Sequence, residues 1–290
     1  MNIKDYLGKY EEYLKYEVNY SEYTIKNYSI HVTKFFEYLD KKKLSFNMLT
    51  KDNIIDYLKF LDHQNYTNRS ISLILSSLRS FFDFLIEEKK LDSNIFKFVS
   101  NPKLDKKLPN FLSYEEYRKI YDSIPEDNIL NIRNKLIIEM LYATGMRVSE
   151  LVNLKTESIN FNEKTIRVLG KGKKERIVYY GQYAEIILDK YLMIRNSNNE
   201  YLILNNKGNK ITVRGIEKII EKLAVSAAVK NNVTPHTFRH TFATHLLNGG
   251  ADIKSVQELL GHSSLNTTEV YTHITSDYLK EVYLKNMPRK

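Results

Sequence analysis

The sequence predicts a mainly α-helical protein of two domains, with a short antiparallel β-hairpin in the second. Apolar residues recur at helical spacing through most of the 290 residues. The segment 101–113, NPKLDKKLPNFLS, breaks this periodicity with two prolines and four charges. We therefore expect a first domain at 1–100, a linker at 101–111 and a second domain at 112–290.

Four helices are expected in the first domain. They run near Ile3–Val18, over residues 22–40, near Lys51–His63 and onward from Asn68. The last carries an apolar stripe made of Ile71, Leu75, Leu78, Phe82 and Leu85. Its opposite face holds serines together with Arg69 and Arg79, and such short hydroxyls and guanidinium groups suit a phosphate backbone. The alternative is an ordinary solvated face.

The second domain begins with two helices and a hairpin. The segment NILNIRNKLIIEMLYATG predicts a helix that ends at Gly145, and MRVSELVNL predicts a short helix after it. The segment TIRVLGKGKKERIVYY has two β-prone runs around residues 170–174, which predicts the hairpin. Further helices are expected over 182–195 and near 213–228, and YLILNNKGNKIT is expected to add a strand and a turn.

Capping residues delimit the helices near the C-terminus. Thr234 supplies an N-cap and Pro235 the first helical position of a helix that Gly249 and Gly250 end. The segment DIKSVQELLGH predicts the next helix, with Gly261 as its stop. Two short helices are expected after it, over residues 267–273 and 277–285.

The charge is uneven along the chain. The formal net charge is +9; residues 1–100 carry 15 basic and 14 acidic side chains, and residues 101–290 carry 29 and 21. A basic half favours a polyanionic partner such as nucleic acid, the alternative being a solubility surface. The absence of cysteine excludes a disulfide scaffold and thiolate zinc sites. We find no apolar signal core or membrane span and expect a cytoplasmic protein.

The segment HTFRHTFATHLL places three histidines and an arginine on one capped helix. His236 and His240 are four residues apart, but no glutamate lies between them as in HExxH and no third ligand is evident, so we expect no metal. We expect His240 and His245 to be structural histidines with satisfied hydrogen bonds, and Phe238, Phe242, Leu246 and Leu247 to pack in the core. His236 and Arg239 share a face near the helix N-terminus, whose free N–H groups suit a phosphate. Packing or surface roles remain open for both.

Neighbouring segments extend this set of residues. ATGMRVSELVNL has Arg147 after a glycine turn, Lys171 is flanked by glycines, and ELLGHSSLNTTEVYTHI has His262 just after a glycine and Tyr271 nine residues later. With HTFRHTFATHLL, these segments in this order resemble the boxes of the tyrosine recombinases, the phage integrase family. NYSEYTIKNYSIHVTKFFEYL is similar to the family's core-binding domain, and the compact Xer-type members are the most similar.

The resemblance implies a fold and partners. The expected fold is a helical, SAM-like core-binding domain plus a mostly helical catalytic domain with a small antiparallel sheet, forming a C-shaped clamp on duplex DNA. The expected assembly is a homotetramer or heterotetramer on two specific DNA sites. The C-terminal helix SDYLKEVYLKN would pack into a neighbouring protomer, or alternatively onto its own domain.

The resemblance also implies a chemistry without metal or cofactor. Tyr271 would be the nucleophile that forms a 3′-phosphotyrosyl link. Arg147 and Arg239 would hold the non-bridging phosphate oxygens. His236 would be the general base and His262 a hydrogen-bond donor to the phosphate.

The β-hairpin would supply the general acid. Lys171 would protonate the leaving 5′-oxygen, and Lys173 and Lys174 would contact phosphates or remain solvated. Glu150 would orient Arg147 or Lys171, unless it forms only a helix salt bridge.

The function expected from this resemblance is site-specific recombination, in an Xer-like resolution of chromosome or plasmid dimers. A second recombinase or a DNA translocase is a candidate partner. The alternatives are a mobile-element integrase, a type IB topoisomerase-like relaxing enzyme and a non-catalytic DNA-binding protein.

Overall fold

The computed structural model describes residues 3–103, 110–170, 175–229, 232–261 and 276–289. The chain divides into two compact units, Met1–Lys107 and Leu108–Lys290. This division falls within the segment 101–111 that the sequence suggests as a linker. Among the described residues, no helix is long and apolar enough to cross a membrane.

The first unit is helical. Its elements are α1 (Ile3–Tyr16), α2 (Glu22–Lys42), α3 (Lys51–His63) and α4 (Asn68–Glu87), with 3₁₀ turns at Phe46–Met48 and Ile95–Phe98. Helices α2, α3 and α4 begin where the side chains of Ser21, Thr50 and Thr67 accept a backbone N–H three residues on. The apolar stripe of α4 is buried as predicted and forms part of the core of this unit.

The opposite face of α4 is less uniform than the sequence suggested. Ser77 is buried, and its hydroxyl donates to the carbonyl oxygen of Leu73 at 2.8 Å. The Arg79 guanidinium donates to the carbonyl oxygens of Phe96 (3.0 Å) and Val99 (2.6 Å). Arg79 therefore fastens the end of the first unit to α4. Arg69 is exposed.

The second unit is mostly helical with one small sheet. Its elements are α5 (Tyr114–Asp122), α6 (Ile129–Thr144), α7 (Val148–Asn153), β1 (Ile159–Asn160), β2 (Thr165–Leu169), β3 (Glu175–Tyr179), α8 (Gln182–Ile194), α9 (Val213–Ser226), α10 (Pro235–Asn248), α11 (Ile253–Leu260) and α12 (Ser276–Asn286). The strands are antiparallel in the order β1-β2-β3, with Thr165 opposite Tyr179 and Leu169 opposite Glu175. The predicted hairpin is confirmed.

Three features differ from the sequence expectations or cannot be compared with them. Helix α5 was not predicted from the sequence, although Ser113 and Glu116 form a capping box at its start. The expected strand in YLILNNKGNKIT is wrong: this segment makes only isolated bridges, Lys155 with Tyr201 and Leu204 with Lys210. The helix expected over 267–273 lies outside the described residues.

Helix α12 packs on its own unit in this chain, which is the alternative to packing into a neighbour. Val282, Tyr283 and Met287 are buried in the core of the second unit. Beyond α12, Arg289 donates through Nε to a carboxylate oxygen of Glu139 at 2.9 Å. Both side chains are almost fully buried, and breaking such a pair leaves an uncompensated buried charge. The C-terminal segment is therefore firmly attached to α6.

A close approach between α6 and α10 fixes the centre of the second unit. Gly145 ends α6 in the left-handed region at φ +60°. A Cβ at this position would lie 2.4 Å from Cδ1 of Phe242, a buried residue of α10. One turn further along α10, His245 Nδ1 lies 2.9 Å from the Tyr142 hydroxyl. Only glycine at 145 allows these two helices to pack this closely.

We expect Gly145→Ala to lower the free energy of unfolding by about 2–4 kcal/mol, because it combines left-handed strain with overpacking. Gly208→Ala is the matched control, since Gly208 is also left-handed at φ +76° but has open space around it. This control should cost only about 1 kcal/mol. Urea unfolding of both variants measures the difference, and equal losses would contradict the packing role of Gly145.

Candidate active site

Arg147 and Glu150 are held together at the start of α7. Arg147 is the N-cap residue, and its backbone N–H donates to Glu150 Oε2 at 2.7 Å. Its guanidinium donates from Nη1 to Glu150 Oε1 at 2.9 Å. The Glu150 side chain is only 2 % exposed and that of Arg147 is 33 % exposed. The hydrogen bonds therefore fix the inner end of Arg147 and leave its outer face open to a ligand.

A second guanidinium, which sequence reasoning missed, binds the same carboxylate. Arg176 on β3 donates from Nη1 to Glu150 Oε1 at 2.6 Å and from Nη2 to Oε2 at 2.9 Å. This two-point geometry is the strong form of an arginine–carboxylate pair. In the sequence, Arg176 is marked only by its position just after the lysine-rich residues 171–174. That position does not distinguish Arg176 from its charged neighbours.

Arg239 on α10 is anchored by the C-terminal ends of two helices. It donates from Nη1 to the carbonyl oxygen of Gly145 at 2.7 Å and from Nη2 to that of Leu260 at 2.6 Å. Gly145 caps α6, and Leu260 is the last residue of α11. Carbonyls at helix C-termini lack intrahelical partners and carry partial negative charge, so they suit a cation.

The three guanidinium groups and the single carboxylate leave the cluster with excess positive charge. Burial, together with the charges of Arg147 and Arg176, lowers the pKa of Arg239 to about 10. Burial raises the pKa of Glu150, but hydrogen bonds from Arg176 and Arg147 outweigh it and hold the carboxyl below its usual pKa. Glu150 therefore stays ionised, and the surplus charge favours an anionic ligand.

The histidines of α10 have different environments. His236 is exposed in the first turn of α10, on the same side as Arg239 three residues later. His245 is buried against Tyr142, as expected for a structural histidine, and burial lowers its pKa. His240 is exposed, because it lies on the other side of the helix from the core residues Phe238 and Phe242.

Several candidate residues lie outside the described residues. These are Lys171, Lys173, Lys174, His262 and Tyr271. The neighbouring backbone is described: Leu169 and Glu175 are the paired ends of the hairpin strands, and Gly261 ends α11 immediately before His262. Arg69 and Arg79 belong to the first unit. Glu150 contacts Arg147, one of its two expected partners.

The described arginines can bind a phosphate group. A guanidinium has five N–H donors. Arg239 donates two of them to carbonyl oxygens, and Arg147 donates one to Glu150. Among the described residues no further side-chain hydrogen bond of Arg147 or Arg239 is found, so their remaining donors can form the forked hydrogen bonds that recognise phosphate oxygens. No group of three or more His, Cys, Asp or Glu that could hold a metal occurs among the residues the structure describes.

Comparison with known proteins gives the class. Residues 110–277 match the phage integrase family, and residues 7–89 match the N-terminal SAM-like domain of phage integrases. The chain therefore belongs to the phage integrase family, the tyrosine recombinases. Within that family it is a site-specific DNA recombinase of the Xer type, which confirms the resemblance drawn from the sequence.

Individual relatives support this placement. A tyrosine recombinase XerC from Anoxybacillus flavithermus is 41% identical over 297 residues, covering 99% of this chain and 99% of the relative. A XerH recombinase bound to a palindromic difH substrate, in a post-cleavage complex, is 27% identical with a TM-score of 0.73 over 95% of this chain and 83% of that one. A lambda integrase tetramer bound to a Holliday junction shares the fold at 20% identity, with a TM-score of 0.72 over 95% of this chain and 81% of that one.

We expect Arg239→Lys to slow DNA cleavage about 100-fold, because a lysine cannot bind two helix ends and a phosphate at once. The measurement is the single-turnover rate of covalent adduct formation on a nicked substrate. Arg214→Lys is the control, since Arg214 is exposed on α9 and should tolerate the change. A rate for Arg239→Lys within a factor of about two of the parent would contradict this role.

Proposed function

We propose that this recombinase cuts and rejoins duplex DNA through a 3′-phosphotyrosyl intermediate on Tyr271. The observation that carries the proposal is the buried Glu150 carboxylate bound by Arg147 and Arg176, with Arg239 close enough to be affected by their charges and with donors of Arg147 and Arg239 that no described residue occupies. Tyr271 comes 11 residues after the end of α11 in sequence, and α11 supplies an anchor of Arg239. The family boxes assign the nucleophile to this position.

The proposed cleavage step is an in-line transesterification. The Tyr271 oxygen attacks the scissile phosphorus and forms a new P–O bond while the bond to the 5′-oxygen breaks. Arg147 and Arg239 bind the non-bridging oxygens and stabilise the charge that builds up in the pentavalent transition state. Because the link conserves the phosphodiester bond energy, a second 5′-hydroxyl can reverse the step without ATP.

The proton transfers belong to two other residues in this proposal, His236 and Lys171. His236, exposed beside Arg239, takes the phenolic proton and returns it in the reverse step. Lys171 protonates the leaving 5′-oxygen. His262 donates a hydrogen bond to the phosphate. Lys173, Lys174 and Arg69 are proposed contacts to the DNA backbone, whereas the three intradomain bonds of Arg79 favour a structural role.

The proposed biological role is the resolution of chromosome or plasmid dimers in the cytoplasm. It is supported by full-length similarity to XerC proteins and by the XerH complex with its difH substrate. The proposed assembly is a tetramer on two specific DNA sites. The lambda integrase tetramer on a Holliday junction supports this assembly through its common fold.

We expect Tyr271→Phe to bind its DNA site with unchanged affinity but to form no covalent adduct, since it lacks the attacking oxygen. A nicked suicide substrate, denaturing gel electrophoresis and mass spectrometry of the adduct measure this. Tyr278→Phe, a change of a partly exposed tyrosine in α12, is the control and should retain the adduct. An adduct in Tyr271→Phe would assign the nucleophile elsewhere.

We expect Lys171→Ala to lose cleavage of ordinary DNA and to regain it on DNA with a 5′-bridging sulfur. A thiolate leaves without protonation, so the general acid becomes dispensable. Lys222→Ala, a change of an exposed lysine on α9, is the control and should cleave both substrates like the parent. Failure of the sulfur substrate to rescue Lys171→Ala would remove Lys171 as the acid.

A further inference from the structure

We propose that Arg176 is a positioning residue for strand cleavage: it shares the Glu150 carboxylate with Arg147 and supports the turn that leads into His262. This inference rests on the proposed recombinase chemistry. Arg176 lies outside the set of residues that the family boxes assign to the reaction. Its contacts in the described part of the chain connect β3 to two of the segments that carry that set.

The first connection is electrostatic. Arg176 and Arg147 both donate to Glu150 Oε1, at 2.6 and 2.9 Å, and Glu150 Oε2 accepts from Arg176 and from the Arg147 backbone. Arg176 donates to the carboxylate from both of its Nη atoms, whereas the Arg147 side chain donates from one. Arg176 therefore neutralises most of the carboxylate, and the charge of Arg147 remains available for a phosphate.

The burial of this pair makes the sharing necessary. The side chains of Glu150 and Arg176 are 2 % and 12 % exposed. A buried carboxylate that loses its main partner keeps its desolvation cost and can form hydrogen bonds only with the donors that remain. Without Arg176, the only other side chain hydrogen-bonded to Glu150 among the described residues is that of Arg147. Glu150 would then compete with the DNA phosphate for Arg147.

The second connection is steric. Gly261 ends α11 in the left-handed region at φ +64°, and a Cβ there would lie 2.6 Å from Cδ of Arg176. The aliphatic part of Arg176 therefore lies directly against the residue that precedes His262. The carbonyl oxygen of the adjacent Leu260 holds Arg239. One side chain on β3 thus supports the backbone at the end of α11 as well as the carboxylate behind Arg147.

The alternative is a salt bridge that only stabilises the second unit. The two roles differ in pH dependence and in their coupling to Glu150. Burial raises the pKa of Glu150, and the hydrogen bond from Arg176 is the largest influence that lowers it. Without Arg176 the carboxyl should therefore protonate at a higher pH than in the parent. Once neutral it no longer competes for Arg147, so the cleavage deficit of the variant relative to the parent should shrink toward acid pH.

The test compares Arg176→Gln, Glu150→Gln and the double variant in the full chain. The readouts are site affinity, thermal unfolding and the single-turnover cleavage rate on the nicked substrate across pH. Arg195→Gln is the matched control, because Arg195 also makes several intradomain hydrogen bonds but none to Glu150, Arg147 or Arg239. Arg176→Lys is a second variant that keeps the charge if Arg176→Gln does not fold.

The proposal expects Arg176→Gln to bind DNA like the parent and to cleave at least about 10-fold more slowly. Its rate deficit should shrink as the pH falls, and Glu150→Gln in the double variant should remove that pH dependence and recover part of the rate. Arg176→Lys should keep a pH profile near that of the parent while cleaving more slowly. Arg195→Gln should affect unfolding alone.

Either of two results would overturn the proposal. The first is an Arg176→Gln variant that cleaves at the parent's rate. If Arg176→Gln does not fold, the same result for Arg176→Lys would overturn the proposal. The second is a loss of cleavage rate that the loss of stability explains and that is also seen in the Arg195→Gln control. In that case the pH profile would be unchanged and the double variant would recover no activity. A parent protein that forms no adduct on its own site would instead refute the proposed function.

Discussion

The buried Glu150 carboxylate is the constraint on which the rest of the site depends. It accepts hydrogen bonds from Arg176, from the Arg147 side chain and from the Arg147 backbone, so one anion fixes β3, the start of α7 and a guanidinium that faces a ligand. An isolated carboxylate this far from solvent would cost several kcal/mol. Its partners therefore contribute to the stability of the second unit, and they hold these positions in the chain without DNA. Such preorganised charge is what a phosphoryl-transfer site needs, because donors already in place need not reorganise during the reaction.

The C-terminal ends of two helices also position the site. Gly145 and Gly261 both end helices in the left-handed conformation, and both permit close contacts that a Cβ would block, with Phe242 and with Arg176. The carbonyl oxygens at these two ends, those of Gly145 and Leu260, then bind Arg239. The two glycines therefore act on the site indirectly. They let α6 approach α10, and α11 approach β3, closely enough for backbone carbonyl oxygens to orient Arg239. The net positive charge that remains needs an anion for compensation.

Local chemistry allowed much of this architecture to be predicted. The helix stop at Gly145, the Thr234–Pro235 start of α10 and the hairpin follow from residues within a few positions of each other, and the family boxes located Arg147 and Arg239. Arg176 could not be found in the same way, because its contact with Glu150 spans 26 residues and depends on the register of the hairpin. The burial of His245 and the exposure of His240 likewise depend on which side of α10 meets α6, and the spacing of the histidines alone did not specify that side.

The most direct test of this account is a crystal structure of the full chain on its DNA site with the scissile phosphate intact, for example with Phe at position 271. The account predicts that Arg147 and Arg239 both donate to non-bridging oxygens of that phosphate at about 3 Å. It also predicts that Glu150 keeps its hydrogen bonds to Arg147 and Arg176, and that Arg239 stays on the carbonyl oxygens of Gly145 and Leu260. A phosphate bound away from these arginines, or a Glu150 that has turned out of the cluster, would contradict it.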